Sequence, residues 1–207
     1  MKIINPTPED DTPATGESRP ATGGSQPASA EPTRGLLIVY TGDGKGKTTA
    51  ALGMALRAVG YGWRVAIVQF VKGSWKYGEL KGILRLAPEV ELRVGGAGFV
   101  GILDDNKPIE DHRAAAKAAY DLALEKIISG QFRLVILDEL NVAVDLALIS
   151  PDELISLLDA RPPELHLVIT GRNAPAALVA RADLVTEMRE IKHPFRQGIL
   201  AQKGIDF

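Results

Sequence analysis

Gly42-Asp43-Gly44-Lys45-Gly46-Lys47-Thr48-Thr49 sets three glycines, two lysines and two threonines in eight consecutive residues. Glycines let a backbone curl so that successive N–H groups point inward, and a following helix adds the positive end of its dipole. An apolar stretch, Leu36–Tyr40, precedes the run, and an alanine-rich stretch with apolar residues at helical spacing, Ala50–Val59, follows it. Strand, glycine loop and helix is the order that a phosphate-binding loop requires. In such a loop Lys47 reaches the terminal phosphates, and the Thr48 hydroxyl sits on the Mg²⁺ that a polyphosphate carries. The spacing is offset from the usual pattern, with Thr41 where a glycine is expected, Gly42 one place late and Lys45 as an extra cation. The plain alternative is an ordinary glycine-rich turn.

Positioning such a loop requires a sheet. β-rich runs predict strands at Leu36–Tyr40, Arg64–Phe70, Val90–Val94, Leu134–Asp138, His166–Thr170 and Leu184–Glu190. Helical patterns fall between them at about 47–60, 78–86, 109–129, 141–148, 151–159 and 175–182. Ser150-Pro151-Asp152-Glu153 is a helix start, with a capping serine, a first-turn proline and a glutamate three places after the cap. Near-continuous apolar strands such as Leu134-Val135-Ile136-Leu137 imply burial on both faces. The predicted fold class is α/β, a mostly parallel sheet flanked by helices, which places ligands at the carboxyl ends of the strands.

Those ends carry the remaining candidates. Asp138-Glu139 closes one strand and can supply a carboxylate to a nucleotide's Mg²⁺. Thr170-Gly171-Arg172 closes another and offers a guanidinium to anionic oxygens. Gln69-Phe70-Val71-Lys72-Gly73-Ser74-Trp75 brings a cation and an aromatic. Four glycines around Phe99, in the run 95–103, suit a lid or a wall for a flat apolar ligand, or a hydrophobic loop tucked under its neighbours. His112 and Lys117 fall on a long alanine-rich helix, where solvated-face roles suit them better than catalysis.

Composition narrows the chemistry. The 207 residues carry a net charge of −2, so no global field draws the chain to nucleic acid or to an anionic membrane. Without cysteine there is no disulfide framework, thiolate metal site or cysteine nucleophile, and having only three histidines argues against a histidine-built zinc centre. Apolar runs are strand-sized and the amino terminus lacks the order of a secretory signal, so a cytoplasmic location is the expectation. Residues 1–33, rich in Pro, Gly, Ser and Thr, read as a disordered tail, and residues 34–207 as one domain.

From about residue 34 onward the chain resembles the ATP:corrinoid adenosyltransferases of the CobA/BtuR/CobO type. The resemblance rests on Thr41–Ala51, Arg57-Ala58-Val59-Gly60, Val68-Gln69-Phe70-Val71-Lys72-Gly73, Gly98-Phe99, Leu137-Asp138-Glu139-Leu140, Ile169-Thr170-Gly171-Arg172, Lys192-His193-Pro194-Phe195 and the closing Gly198–Asp206. It implies a P-loop NTPase (RecA-like) fold. The implied activity is transfer of the 5′-deoxyadenosyl group of ATP to the Co(I) centre of a reduced corrinoid, with release of tripolyphosphate.

By the same resemblance Gly42, Asp43, Gly44, Lys45, Gly46, Lys47, Thr48 and Thr49 bind ATP, with Arg57 and Arg172 near the nucleotide. Thr48 and Glu139 hold Mg²⁺, with Asp138 as the second choice of carboxylate. Lys47 and Phe99 are the catalytic candidates, and Phe99 stands at the corrinoid, where it helps displace the lower axial ligand. A member of that family has a tryptophan two residues after the matching phenylalanine, where this chain has Gly101; either Phe99 works alone or Trp75 or Phe195 substitutes. Implied partners are a reduced flavoprotein as electron donor and a second copy in a homodimer. Two other readings use the same pocket: a phosphate-loop kinase or ATPase, with Glu79 or Asp104 orienting the acceptor, and a non-catalytic corrinoid or nucleotide carrier.

Overall fold

The computed structural model describes residues 34–71, 77–96 and 108–206, all within one compact unit, Pro32–Phe207. The expectations for the amino-terminal tail, and for Lys72, Trp75, Phe99, Gly101 and Asp104, lie outside the described residues. Six strands form the sheet: β1 Leu37–Thr41, β2 Val65–Gln69, β3 Val90–Val94, β4 Leu134–Asp138, β5 His166–Thr170 and β6 Leu184–Glu187. Their order is β3-β2-β4-β5-β1-β6, and every pairing is parallel. The helices are α1 Lys47–Val59, α2 Gly78–Ile83, α3 Ile109–Ile128, α4 Leu140–Asp145, α5 Pro151–Asp159 and α6 Ala176–Arg181.

The two-residue period of the strands sorts the core into two layers. Ile38, Ile67, Ile136 and Val168 face Ala51, Ala55 and Ala58 of α1, whose small side chains let the helix lie close to the sheet. Val39, Val68, Leu137 and Ile169 face the other way, against α3, α5 and Leu178 of α6. All five residues of β2 and of β4 are buried, four apolar residues in a row followed by one polar residue at the carboxyl end.

α5 begins as its sequence dictates, with Ser150 Oγ accepting from Glu153 N at 3.2 Å and Glu153 Oε2 accepting from Ser150 N at 2.9 Å. Elsewhere boundaries move for visible reasons. β6 stops at Glu187 because the next residue leaves the ladder: Met188 N donates to Thr41 O at 2.8 Å, and Met188 O accepts from Gly44 N at 2.7 Å. α4 ends at Asp145, since Ala147 has φ 52°. The helix expected over 78–86 finishes as a 3₁₀ turn, Leu84–Leu86.

His112 is a correction. It is 2% exposed, because its i, i+4 spacing puts it on the buried stripe of α3 with Ala116, Ala119, Tyr120, Ala123 and Ile127. Lys117, on the outer face, pairs with Asp121 and Glu153 at 3.2 Å each.

At the amino ends of the strands the His166 ring stacks on Trp63, with centroids 5.3 Å apart, and its Nδ1 accepts from Leu36 N at 3.1 Å. Burial, then the Arg133 and Arg161 charges, push the His166 pKa below its ordinary 6.5. With the folded pKa lowered, this contribution to stability is fully present above about pH 6.5 and is lost as the pH falls toward the folded value. The denaturant midpoint should therefore fall between pH 7.5 and 5.5 by more in the native chain than in His166→Asn. Parallel pH profiles would show that the imidazole does not couple to folding.

Candidate functional site

β1 feeds directly into the glycine loop and the loop into α1, so the first turn of that helix opens at the carboxyl edge of the sheet. The loop is fixed from beneath by the segment after β6. Gly42 has φ 93°, and an added Cβ there would lie 2.4 Å from Met188 O; one on Gly44 would lie 2.7 Å from the Arg189 carbonyl carbon. Only glycine fits against that neighbouring backbone.

Lys47 is 7% exposed, and its Nζ donates to Gly42 O at 2.6 Å and to Gly44 O at 2.8 Å, closing the loop on itself. Burial lowers its pKa, while the Glu139 carboxylate opposes the shift. Thr48 Oγ1 donates to Asp138 Oδ1 at 2.8 Å. That carboxylate also accepts from Thr170 Oγ1 at 2.7 Å and from Gln69 Nε2 at 3.1 Å, and Asp138 is 1% exposed. Glu139, the next residue, takes a left-handed conformation, φ 61° and ψ 22°, as the chain turns from β4 into α4.

A cleft of about 710 Å³ opens above this floor. Residues 43–49, Glu139 and Arg172 form its polar wall; Leu52, Val71, Tyr77 and Val142 add apolar surface. Gly78 and Glu79 line it beside Tyr77, and the carboxyl-terminal Gly204, Ile205 and Asp206 complete it, with Asp206 ion-paired to Lys45 and accepting from Gln202 N at 2.7 Å. The Lys45 ammonium, then the Gln202 amide, hold the Asp206 carboxyl below its usual range.

The structure thus brings together Asp43 to Thr49, Glu79, Glu139 and Arg172 around one cleft, with Asp138 buried beneath. Arg57 is not among them. It is exposed in the last turn of α1, about 15 Å along the helix from Lys47 at 1.5 Å per residue. Phe195 is 70% exposed and does not line the cleft.

Sequence reasoning missed Tyr77, Thr170 as a partner of Asp138, and the tail over the loop. Tyr77 carried no motif. Thr170 was visible only as the residue before Gly171-Arg172, since its role depends on which strands are neighbours.

Thr48 and the strand-end acids offer oxygen donors only, the chemistry that a hard divalent cation takes. Among the described residues no group of three or more His, Asp or Glu side chains could cage a metal unaided. Such a donor set fits Mg²⁺ that is ligated mainly by phosphates, with one or two protein oxygens. No helix among the described residues is long and apolar enough to cross a membrane.

The family model described as ATP:corrinoid adenosyltransferase BtuR/CobO/CobP matches residues 33–207. A corrinoid adenosyltransferase of Pseudomonas aeruginosa is 40% identical over 178 residues, 86% of this chain and 86% of that one. The corrinoid adenosyltransferase CobA of Salmonella typhimurium is 41% identical over 179 residues, 86% of this chain and 88% of that one. Among solved structures, a KaiC-like protein of Pyrococcus horikoshii is 14% identical, with a TM-score of 0.44 over 74% of this chain and 73% of that one.

Proposed function

The chain belongs to the ATP:corrinoid adenosyltransferase family BtuR/CobO/CobP, and from that membership we propose that it moves the 5′-deoxyadenosyl group of ATP onto the Co(I) centre of a reduced corrinoid. The observation that carries this reading is the extent of the family match, residues 33–207, which takes in every residue lining the cleft.

In the proposed step the cobalt electron pair attacks the ribose C5′. The C5′–O bond breaks toward oxygen, and the intact triphosphate leaves as cobalt passes formally from Co(I) to Co(III). Such a metal-centred nucleophile needs no serine, cysteine or general base from the protein. What the protein supplies is stabilisation of the departing charge: the loop amides, the desolvated Lys47 ammonium, Lys45 and Arg172. Bound Mg²⁺ would be held by the Thr48 hydroxyl and the Glu139 carboxylate and would neutralise part of the triphosphate charge. Glu139 is preferred to Asp138 because it lines the cleft, whereas Asp138 is engaged by three buried or half-buried donors. The same reading takes a reduced flavoprotein as the electron donor and a cytoplasmic homodimer as the working unit.

Anaerobic mixing with ATP, Mg²⁺ and chemically reduced cob(I)alamin tests the proposal. A light-sensitive Co–C product with stoichiometric tripolyphosphate is expected. ADP in its place would point to phosphoryl transfer at the same loop.

Phe99 is assigned to the corrinoid by resemblance. Phe99→Ala should slow reaction from Co(II) about tenfold more than reaction from prepared Co(I), a difference of about 1.4 kcal/mol in barrier. Equal losses from both starting states would remove it from the reduction step.

A further inference from the structure

Three neighbouring strands end in buried polar side chains: Gln69 on β2, Asp138 on β4 and Thr170 on β5, exposed by 1%, 1% and 0%. Gln69 is directly paired with Asp138, and Leu137 with Ile169, so Thr170 follows in register beside Asp138. All three continue the strand faces whose Ile67, Ile136 and Val168 pack against α1, the helix that carries Thr48. The row therefore lies under the first turn of α1.

Thr170 Oγ1 makes two bonds of different kinds. It donates to Asp138 Oδ1 at 2.7 Å and accepts from the Glu139 backbone N–H at 3.0 Å. One hydroxyl thus touches the side chain of the first strand-end acid and the main chain of the second. The first contact bears on Thr48, whose hydroxyl donates to the same Oδ1 at 2.8 Å. The second bears on a left-handed residue, φ 61°, a conformation that costs a non-glycine residue energy and persists only where its surroundings hold it. A β-branched threonine suits the task because its χ1 is stiff.

We propose that Thr170 is a positioning residue: through one hydroxyl it sets both the Asp138 carboxylate that aims Thr48 and the left-handed turn that aims Glu139 into the cleft, so that two oxygen donors meet one divalent cation on the nucleotide phosphates. The proposal rests on the reading of Thr48 and Glu139 as the metal donors. Thr170→Val keeps the branched shape but strips Asp138 of a donor and leaves the Glu139 N–H without its acceptor. Thr170→Ser keeps the hydroxyl and frees its rotamer.

The test is calorimetric titration of the full chain with inorganic tripolyphosphate, with and without Mg²⁺, beside thermal unfolding. In Thr170→Val metal-free binding should stay within about twofold of the native chain, while the enhancement by Mg²⁺ falls about tenfold, the loss of roughly one buried hydrogen bond's worth of alignment. Thr170→Ser should lose about two- to threefold of the enhancement. A valine variant that melts earlier but keeps the native Mg²⁺ enhancement overturns the proposal, as does one that loses metal-free binding equally. Should the valine variant fail to fold, the serine variant decides: an unchanged enhancement overturns the proposal. A native chain that binds tripolyphosphate without any Mg²⁺ enhancement overturns the donor assignment itself, a failure distinct from unequal behaviour of the variants.

Discussion

Lys47→Ala is expected to lower adenosyl transfer by about 10²–10³-fold, the usual effect of deleting one preorganised group that stabilises developing charge. Its ammonium is buried and fixed by the carbonyls of Gly42 and Gly44, so in the proposed step little reorganisation is needed as negative charge accumulates on the departing phosphates. The side chain is 7% exposed and so poorly solvated, which also lowers its pKa, and its charge acts on a bound anion with little screening by water. Lys47→Arg should fail too, since a planar fork cannot take the place of a compact ammionium-sized donor between those two carbonyls. The check is single-turnover transfer from prepared Co(I), with unfolding recorded beside it. Near-normal turnover in a folded Lys47→Ala variant would take the loop out of the mechanism.

Gly42→Ala is expected to cost about 3 kcal/mol of stability, combining strain at a positive φ with overpacking. At φ 93° an L side chain is disfavoured, and its Cβ would stand 2.4 Å from Met188 O, 2.8 Å from Met188 N and 2.9 Å from Glu187 Cγ. Met188 cannot easily retreat, because its own N–H and carbonyl are bonded to Thr41 and Gly44. Gly53→Ala supplies the contrast. That glycine is helical, an added Cβ meets nothing within 4 Å, and alanine there should stabilise by about 0.5–1 kcal/mol. Urea midpoints for the pair read both effects; a Gly42→Ala midpoint equal to the native one would show that the loop yields.

What the sequence disclosed was local. β3, β4, β5 and α5 match the sequence-based expectation residue for residue, because each is a bounded apolar run, alternates apolar with charged residues as β3 does, or carries a capping box. The glycine loop, Glu139 and Arg172 were legible as strand-end chemistry in a parallel sheet. Hidden from it was everything that depends on strand order. That β5 lies between β4 and β1 is what puts Thr170 beside Asp138, and that β6 lies outside β1 is what seals Met188 under the loop. His112 was misjudged because a polar side chain on an alanine-rich helix gives no sign of which stripe the sheet will cover. Arg57 entered by resemblance, and the helix rise carries it away from the cleft.

The same strand order governs how the chain matures during synthesis. β2, β3 and β4 pair among themselves, and all three leave the ribosome before β5. β1, although made first, pairs only with β5 and β6, the last strands to emerge. For most of translation the glycine loop therefore has a strand with no neighbour behind it and no Met188 beneath it. Half of the sheet can assemble early, whereas the partners of the glycine loop come last. In the proposed reading, the cradle that would hold ATP is therefore built only when the final strands close around the first.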